Sequence, residues 1–209
     1  MTHSHDMNGR GRCGTAQYVR RYFEGSRPVA LYLSMCFKVA FPDYYRKYKV
    51  AFDAGAWMPG DPGPWLGRAI VWKLPVETHM DGLDEGPTAI FNVGWYTGGN
   101  LYLPDLGVKL EWVLRISLSS PFLLISSARY DPGTLVIFLS GQLYHSVSEW
   151  KPDTQGKSDR LTPGRVGNVF FFPKASFDKL YGKSAGWNWK TVSGTLPDIS
   201  ESKRELNAA

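Results

Sequence analysis

A mainly β fold of the sandwich or barrel kind, preceded by helices and therefore α+β overall, follows from three observations on the 209 residues. Gly and Pro number 22 and 14, which interrupts the chain too often for a helical bundle. From about position 68 onward, short runs of β-branched and aromatic residues are separated by Gly, Pro and Asp turns. Before that point, the apolar residues fall at helical spacing.

Taken in order, residues 1–16 are polar and Gly-rich and read as a flexible tail. A helical pattern runs over 16–53, with Leu31, Leu33, Met35, Cys36 and Val39 as apolar positions. Pro42-Asp43 restarts it, and Asp43 is the expected N-cap of a helix over 44–52. Three prolines and four glycines make 55–67 a loop. Strands are expected at 68–74, 88–93, 100–103, 134–139, 147–150 and 166–172. Residues 183–209 are polar and read as a C-terminal tail, which leaves 17–182 as a single domain.

Composition excludes several classes. Hydrophobic residues at 43% and charged residues at 21% exclude a disordered chain. No apolar run reaches the roughly 18 residues of a membrane span, so no membrane partner is expected. The N-terminus carries no apolar signal core, which predicts an intracellular protein; a monomer is the expected state. Cys13 and Cys36 are too few for a disulfide scaffold or a Cys-rich zinc site. Aromatics at 14%, with eight Trp, predict a large aromatic core or groove. A net charge of +5 permits a polyanionic partner. Arg10, Arg12, Arg20, Arg21 and Arg27 cluster near the N-terminus, as phosphate contacts or as a solvated face.

Only His79 and His145 lie outside the N-terminal tail. His79 belongs to Glu77-Thr78-His79-Met80-Asp81-Gly82 at the mouth of an expected strand, where residues two apart share a face. His79 and Asp81 can therefore both reach one cation, and His145 follows the strand expected at 134–139 and a Gly141 turn. Two imidazoles and a carboxylate on one face of an octahedron leave three positions open, which suits non-haem iron(II) with a chelating cosubstrate and dioxygen. The competing reading of His-x-Asp alone is a surface His beside a turn-forming Asp-Gly.

The order of further motifs bears on that choice. After His79-x-Asp81 come Asn92 and then Tyr96-Thr97-Gly98-Gly99-Asn100-Leu101-Tyr102-Leu103-Pro104. Asp131-Pro132-Gly133-Thr134-Leu135 follows, then Leu143-Tyr144-His145 and Gly164-Arg165-Val166. Over 42–174 the chain resembles the 2-oxoglutarate/iron(II) dioxygenases, and in particular the fungal branch of the TET/JBP oxygenases. The resemblance implies a double-stranded β-helix (jelly-roll) core with the N-terminal helices packed on it. It implies that His79, Asp81 and His145 hold Fe(2+), and that Arg165 pairs with the far carboxylate of the cosubstrate 2-oxoglutarate. A planar guanidinium suits that task because it meets a carboxylate with two parallel N–H groups. Arg160 is the runner-up. Asn92 and Tyr96 either bind the keto acid or orient the substrate, or are polar residues of strand edges. Trp72, Trp95 and Trp150 line a base-stacking pocket or belong to the core. The implied reaction consumes O2 and oxidises a methylated base, 5-methylcytosine-like, in DNA, which would place the protein in the nucleus. A small-molecule or protein side-chain hydroxylase uses the same triad, and a non-catalytic remnant with an interrupted barrel would keep only its outline.

That outline is broken at 112–129, a Ser- and Leu-rich stretch without Asp or Glu. Removing it joins 108–111 to 130–133 as one strand and turn. The stretch is expected to be an insertion or a retained intron read in frame.

Overall fold

The structure, a computed structural model, describes residues 15–111, 128–153 and 163–191. Cys13, Arg10, Arg12, Arg160 and nearly all of the 112–129 segment lie outside the described residues. The chain divides into two compact units, one running up to Leu66 and resuming at Ser176, the other from Gly67 to Ala175. The span expected as one domain thus contributes to both.

Outside the sheets stand helices α1 (Thr15–Ala40), α2 (Pro42–Gly55), α3 (Lys174–Leu180) and α4 (Trp187–Lys190) and a single 3-10 turn over Pro104–Leu106. The restart at Pro42 holds, but the cap does not. Phe41 occupies the N-cap and Pro42 the first turn, where a missing N–H costs nothing. Asp43 sits inside that turn, complementing the helix dipole and pairing with Arg46 instead of capping. Buried Phe37 packs 4.6 Å from the Trp65 ring and 5.4 Å from Tyr48, which in turn lies 5.9 Å from Phe177. Much of the aromatic content is therefore core. Helix α4 lies in the stretch expected to be a polar tail; Gly186 N–H donates to the Asp53 carbonyl at 2.7 Å and ties its start to α2. No helix among the described residues is long and apolar enough to cross a membrane.

The strands are β1 (Gly67–Trp72), β2 (Val76–His79), β3 (Thr88–Val93), β4 (Tyr96–Gly98), β5 (Leu101–Leu103), β6 (Val108–Glu111), β7 (Ala128–Arg129), β8 (Leu135–Phe138), β9 (His145–Val147), β10 (Trp150–Pro152) and β11 (Val166–Phe171). They form sheets of order β1-β11-β3-β8, β2-β9-β5-β6-β7 and β10-β4, antiparallel except for β6-β7. The protein is thus α+β, with two long helices leading, antiparallel sheets following and two short helices after them, and no closed barrel is formed among the described residues. The strand expected at 147–150 is really two. Ser148 leaves the β9 ladder, with its N–H donating to the Asn100 carbonyl and its hydroxyl accepting from Asn100 N–H, both at 2.9 Å. After Ser148 and Glu149 the chain pairs again as β10, on β4 and in the same register that β9 keeps with β5. Leu101 and Tyr130 anchor the sheet core against Ile90, Val136 and Val147.

The flanks of the 112–129 segment are lateral neighbours and not one continuous strand: Leu110 pairs with Ala128 and Glu111 with Arg129. The chain therefore returns to the place it left. Adjacent strands lie about 4.8 Å apart and one residue rises about 3.3 Å, so the Cα atoms of Glu111 and Tyr130 are on the order of 6 Å apart. Bonded neighbours need about 3.8 Å. Deleting 112–129 is expected to preserve the fold and metal binding and to raise unfolding free energy by about 1–2 kcal/mol. Closing an excursion of that length costs on the order of 2–3 kcal/mol, offset in part by the lost β6-β7 pair. Chemical denaturation of the deletion variant tests this, and a less stable or metal-blind variant makes the segment integral.

Candidate metal centre

His79 and His145 are cross-strand partners on β2 and β9. Between Val76 and His79 the β2 strand advances three residues while β9 advances two, from Val147 to His145, so β2 carries a bulge. Strict alternation would turn His79 to the face opposite Val76. The extra residue brings both to one face, where they line a single cavity of about 280 Å3 with His145 and Val147. Asp81 lies just past the end of β2. Its N–H donates to the Ser140 carbonyl at 2.9 Å, which holds the loop after β8 against it.

The donor atoms of His79, Asp81 and His145 lie within 4.8 Å of one another. His79 Nε2 is 3.4 Å from Asp81 Oδ1, and His145 Nε2 is 3.7 Å from Asp81 Oδ2. Each Nδ1 faces a backbone carbonyl, His79 that of Glu77 at 2.8 Å and His145 that of Leu143 at 3.1 Å. A carbonyl only accepts, so each Nδ1 carries the proton and each Nε2 keeps a lone pair for a cation. Burial holds His145 below its usual pKa, against the opposing pull of the Leu143 carbonyl and Asp81, which favours the neutral, ligating form. His145 is 9% exposed and His79 45%, so the centre opens to solvent on the His79 side. Two neutral imidazoles and one carboxylate fit a divalent transition metal.

Arg165 lies on the same cavity, immediately before β11, and is 4% exposed. Its side chain runs over two glycines. A Cβ at Gly99 would come within 3.1 Å of Arg165 Cδ, and one at Gly167 within 3.3 Å of Arg165 Nη1. No carboxylate among the described residues pairs with it, and its Nε has no hydrogen-bond partner there. Arg165 Nη2 donates to the Tyr130 hydroxyl at 3.4 Å. Asn92, opposite Gly167 in the β3-β11 register, is fully buried. Its amide makes no close hydrogen bond among the described residues, yet faces Tyr130 near enough to favour the phenolate. Tyr96 is buried and also beside Arg165; burial raises its pKa and the guanidinium opposes the rise. Neither Asn92 nor Tyr96 lines the cavity itself, and Trp72, Trp95 and Trp150 do not either. Trp72 is exposed on β1, while Trp150 meets Tyr96 edge-on.

Two cavity residues carry no signal in the sequence. Tyr130 shows no periodicity because it sits between β7 and a turn. Asp84 looks like a turn residue. Yet Asp84 lines the cavity and accepts from the hydroxyls of Thr88 at 3.3 Å and Ser140 at 3.4 Å. Burial, and then the nearby Asp81 carboxylate, push its pKa up from 3.8 to about 6. The protonated form is thus favoured by folding, and this stabilisation is complete below about pH 4 and lost as pH rises through about 6. Asn cannot ionise, so metal-free Asp84→Asn is expected to match the native chain at pH 4. At pH 7.5 it should exceed it by about 1 kcal/mol, a figure reduced for the partial exposure of the site. Denaturation with chelator present at the two pH values measures the difference, and equal gaps at both remove the strain from Asp84.

No family model matches the chain, and no curated protein is similar to it.

Proposed function

We propose that this chain is an iron(II)- and 2-oxoglutarate-dependent dioxygenase with a double-stranded β-helix core, which oxidises a methylated, 5-methylcytosine-like base in DNA. One observation carries the reading: two imidazoles and a carboxylate converge on one point of a cavity that also holds a buried guanidinium without a carboxylate partner among the described residues. A cavity of that chemistry calls for a cation at one place and an anion at another, as a metal-bound keto acid with a far carboxylate supplies. The two larger sheets, antiparallel apart from the β6-β7 pair, support this reading of the core.

Bound iron and 2-oxoglutarate would supply the oxidation of a C–H bond by dioxygen, with decarboxylation of the keto acid to succinate. In this reading His79 and His145 would hold the metal through Nε2 and Asp81 through its carboxylate. Arg165 fixes the far carboxylate, and its burial strengthens that contact. Asp84 offers a carboxylate oxygen to an N–H donor, which matches the 4-amino group of cytosine and not the oxygen at that place in thymine. A base in a duplex has to be flipped out to enter. Arg20, Arg21 and Arg27 are exposed on α1, as phosphate contacts require.

Mass spectrometry of methylated DNA incubated with the iron-loaded protein, 2-oxoglutarate and ascorbate tests the reading. Oxidised methylcytosine with matching succinate is the expected result. Succinate without an oxidised base moves the substrate to a small molecule or protein side chain. Neither metal binding nor succinate leaves a non-catalytic remnant.

A further inference from the structure

We propose that the helical unit, which runs to Leu66 and resumes at Ser176, carries a docking surface for single-stranded DNA. On it Trp189 and Tyr181 stack bases, while Lys47, Lys179 and Lys183 meet phosphates. The metal centre plays no part in the inference; only the choice of DNA over RNA rests on the reading above. Residues 177–190 combine aromatic rings with Lys179, Lys183 and Lys190, and Asp178 is the only carboxylate among them. Trp189 is 65% exposed and Tyr181 48%, so large apolar rings are displayed where the fold does not use them.

Rings and cations are held in place. Tyr181 stacks on Phe177 with centroids 5.0 Å apart and 17° between the planes, which covers one face of its ring. It also lines a hollow of about 360 Å3 with Lys47, Val50, Arg46 and Asp43, the last two paired with each other. Lys47 makes no ion pair among the described residues; its Nζ lies 6.0 Å from the Tyr44 ring centroid. Lys179 and Lys183 each rest Nζ 5.9 Å from the Trp187 centroid, so one indole gathers two ammonium groups. Neither lysine meets a carboxylate among the described residues. Gly186, whose N–H binds the Asp53 carbonyl, accepts from Trp189 N–H at 3.0 Å, so Trp189 is displayed from a short helix tied to α2.

These features select the partner. Every base has a face to stack and phosphates recur along the strand, so rings interleaved with lysines take a single strand whatever its sequence. A duplex keeps its base faces inside its own stack and offers the lysines phosphates alone. An anionic membrane also attracts lysines, but lying in its surface takes a long helix with an apolar face, and α4 has four residues.

The test follows the fluorescence anisotropy of labelled oligothymidylate as the full chain is added, over a series of salt concentrations and with chelator present. The native chain should bind the strand more tightly than a duplex of the same length. Trp189→Ala should weaken it about tenfold at an unchanged salt slope, as loss of one stacked base does. Lys179→Gln combined with Lys183→Gln should flatten the slope of log affinity against log salt by about 0.7 for each lysine. All three side chains are exposed, so both variants should keep the native melting temperature. Equal binding of strand and duplex, or a Trp189→Ala variant that binds like the native chain, overturns the stacking surface. An unchanged salt slope in the lysine variant overturns the phosphate contacts. A tighter hold on oligouridylate overturns the choice of DNA, and binding to phosphatidylserine vesicles alone overturns the proposal in favour of a membrane. A chain that binds the strand here, yet yields no oxidised base when loaded with iron, removes the oxygenase reading and leaves this surface standing.

Discussion

Replacing His79 or His145 by Ala is expected to lower divalent-metal affinity by more than about 100-fold and to abolish iron-dependent succinate formation. Loss of groups that merely orient a ligand costs on the order of 10–100-fold, and loss of a ligand itself exceeds that. The two histidines differ in surroundings. His79 is nearly half exposed, so its replacement should leave the melting temperature almost unchanged. His145 is buried against Phe138, with ring centroids 5.0 Å apart, so His145→Ala also leaves a small cavity and a modest loss of stability. Asp81→Asn keeps the size of the side chain and removes its charge, and should likewise lose the metal. Calorimetry with Mn(II), paired with succinate measurement under iron, separates lost ligation from lost folding. Near-native metal affinity in either alanine variant refutes the triad.

The triad was legible because two histidines in the folded part leave few combinations, and because His79-x-Asp81 stands at a strand end. What brings the pair of histidines together was not legible. The bulge between Val76 and His79 is one extra residue in a short strand, and no pattern of residue types marks it. Arg165 stood out because Val166 and Val169 to Phe172 are too apolar to flank a surface charge. The room it needs comes from Gly167, two residues on along β11, and from Gly99, which is distant in sequence. Tyr130 reaches the cavity because β7 returns beside β6, a pairing between strands remote in sequence. The helices were readable from spacing, but the exact start of α2 was decided by Pro42 and not by the better capping residue beside it. The strand expected at 147–150 divides at Ser148 and Glu149, where the Ser148 hydroxyl takes the Asn100 N–H in place of a backbone carbonyl, a partner from a distant part of the chain. Local chemistry was therefore visible in the sequence where it depends on side-chain type, and hidden where it depends on which strands become neighbours.

Arg165→Met is expected to weaken 2-oxoglutarate at least about tenfold while leaving stability unchanged or raising it by about 1–3 kcal/mol. The first effect follows from loss of a charge-assisted contact, typically about 1.5–3 kcal/mol. The second runs against the usual cost of changing a buried side chain. Arg165 is 4% exposed, pairs with no carboxylate among the described residues, and makes a long 3.4 Å hydrogen bond to the Tyr130 hydroxyl. Taking such a charge out of water is unfavourable, and replacing buried ions by apolar groups of similar size is often neutral or stabilising. Met retains an unbranched stem that can lie over Gly99 and Gly167, so little packing is lost. A residue kept for ligand binding shows this opposition between affinity and stability; a residue kept for structure does not. Denaturation and 2-oxoglutarate titration of the same Mn(II)-loaded variant give both quantities. A variant destabilised by about 2 kcal/mol or more makes Arg165 a structural cation. An unchanged 2-oxoglutarate affinity moves the carboxylate contact to Arg160, beyond the described residues, and leaves the buried guanidinium without a ligand.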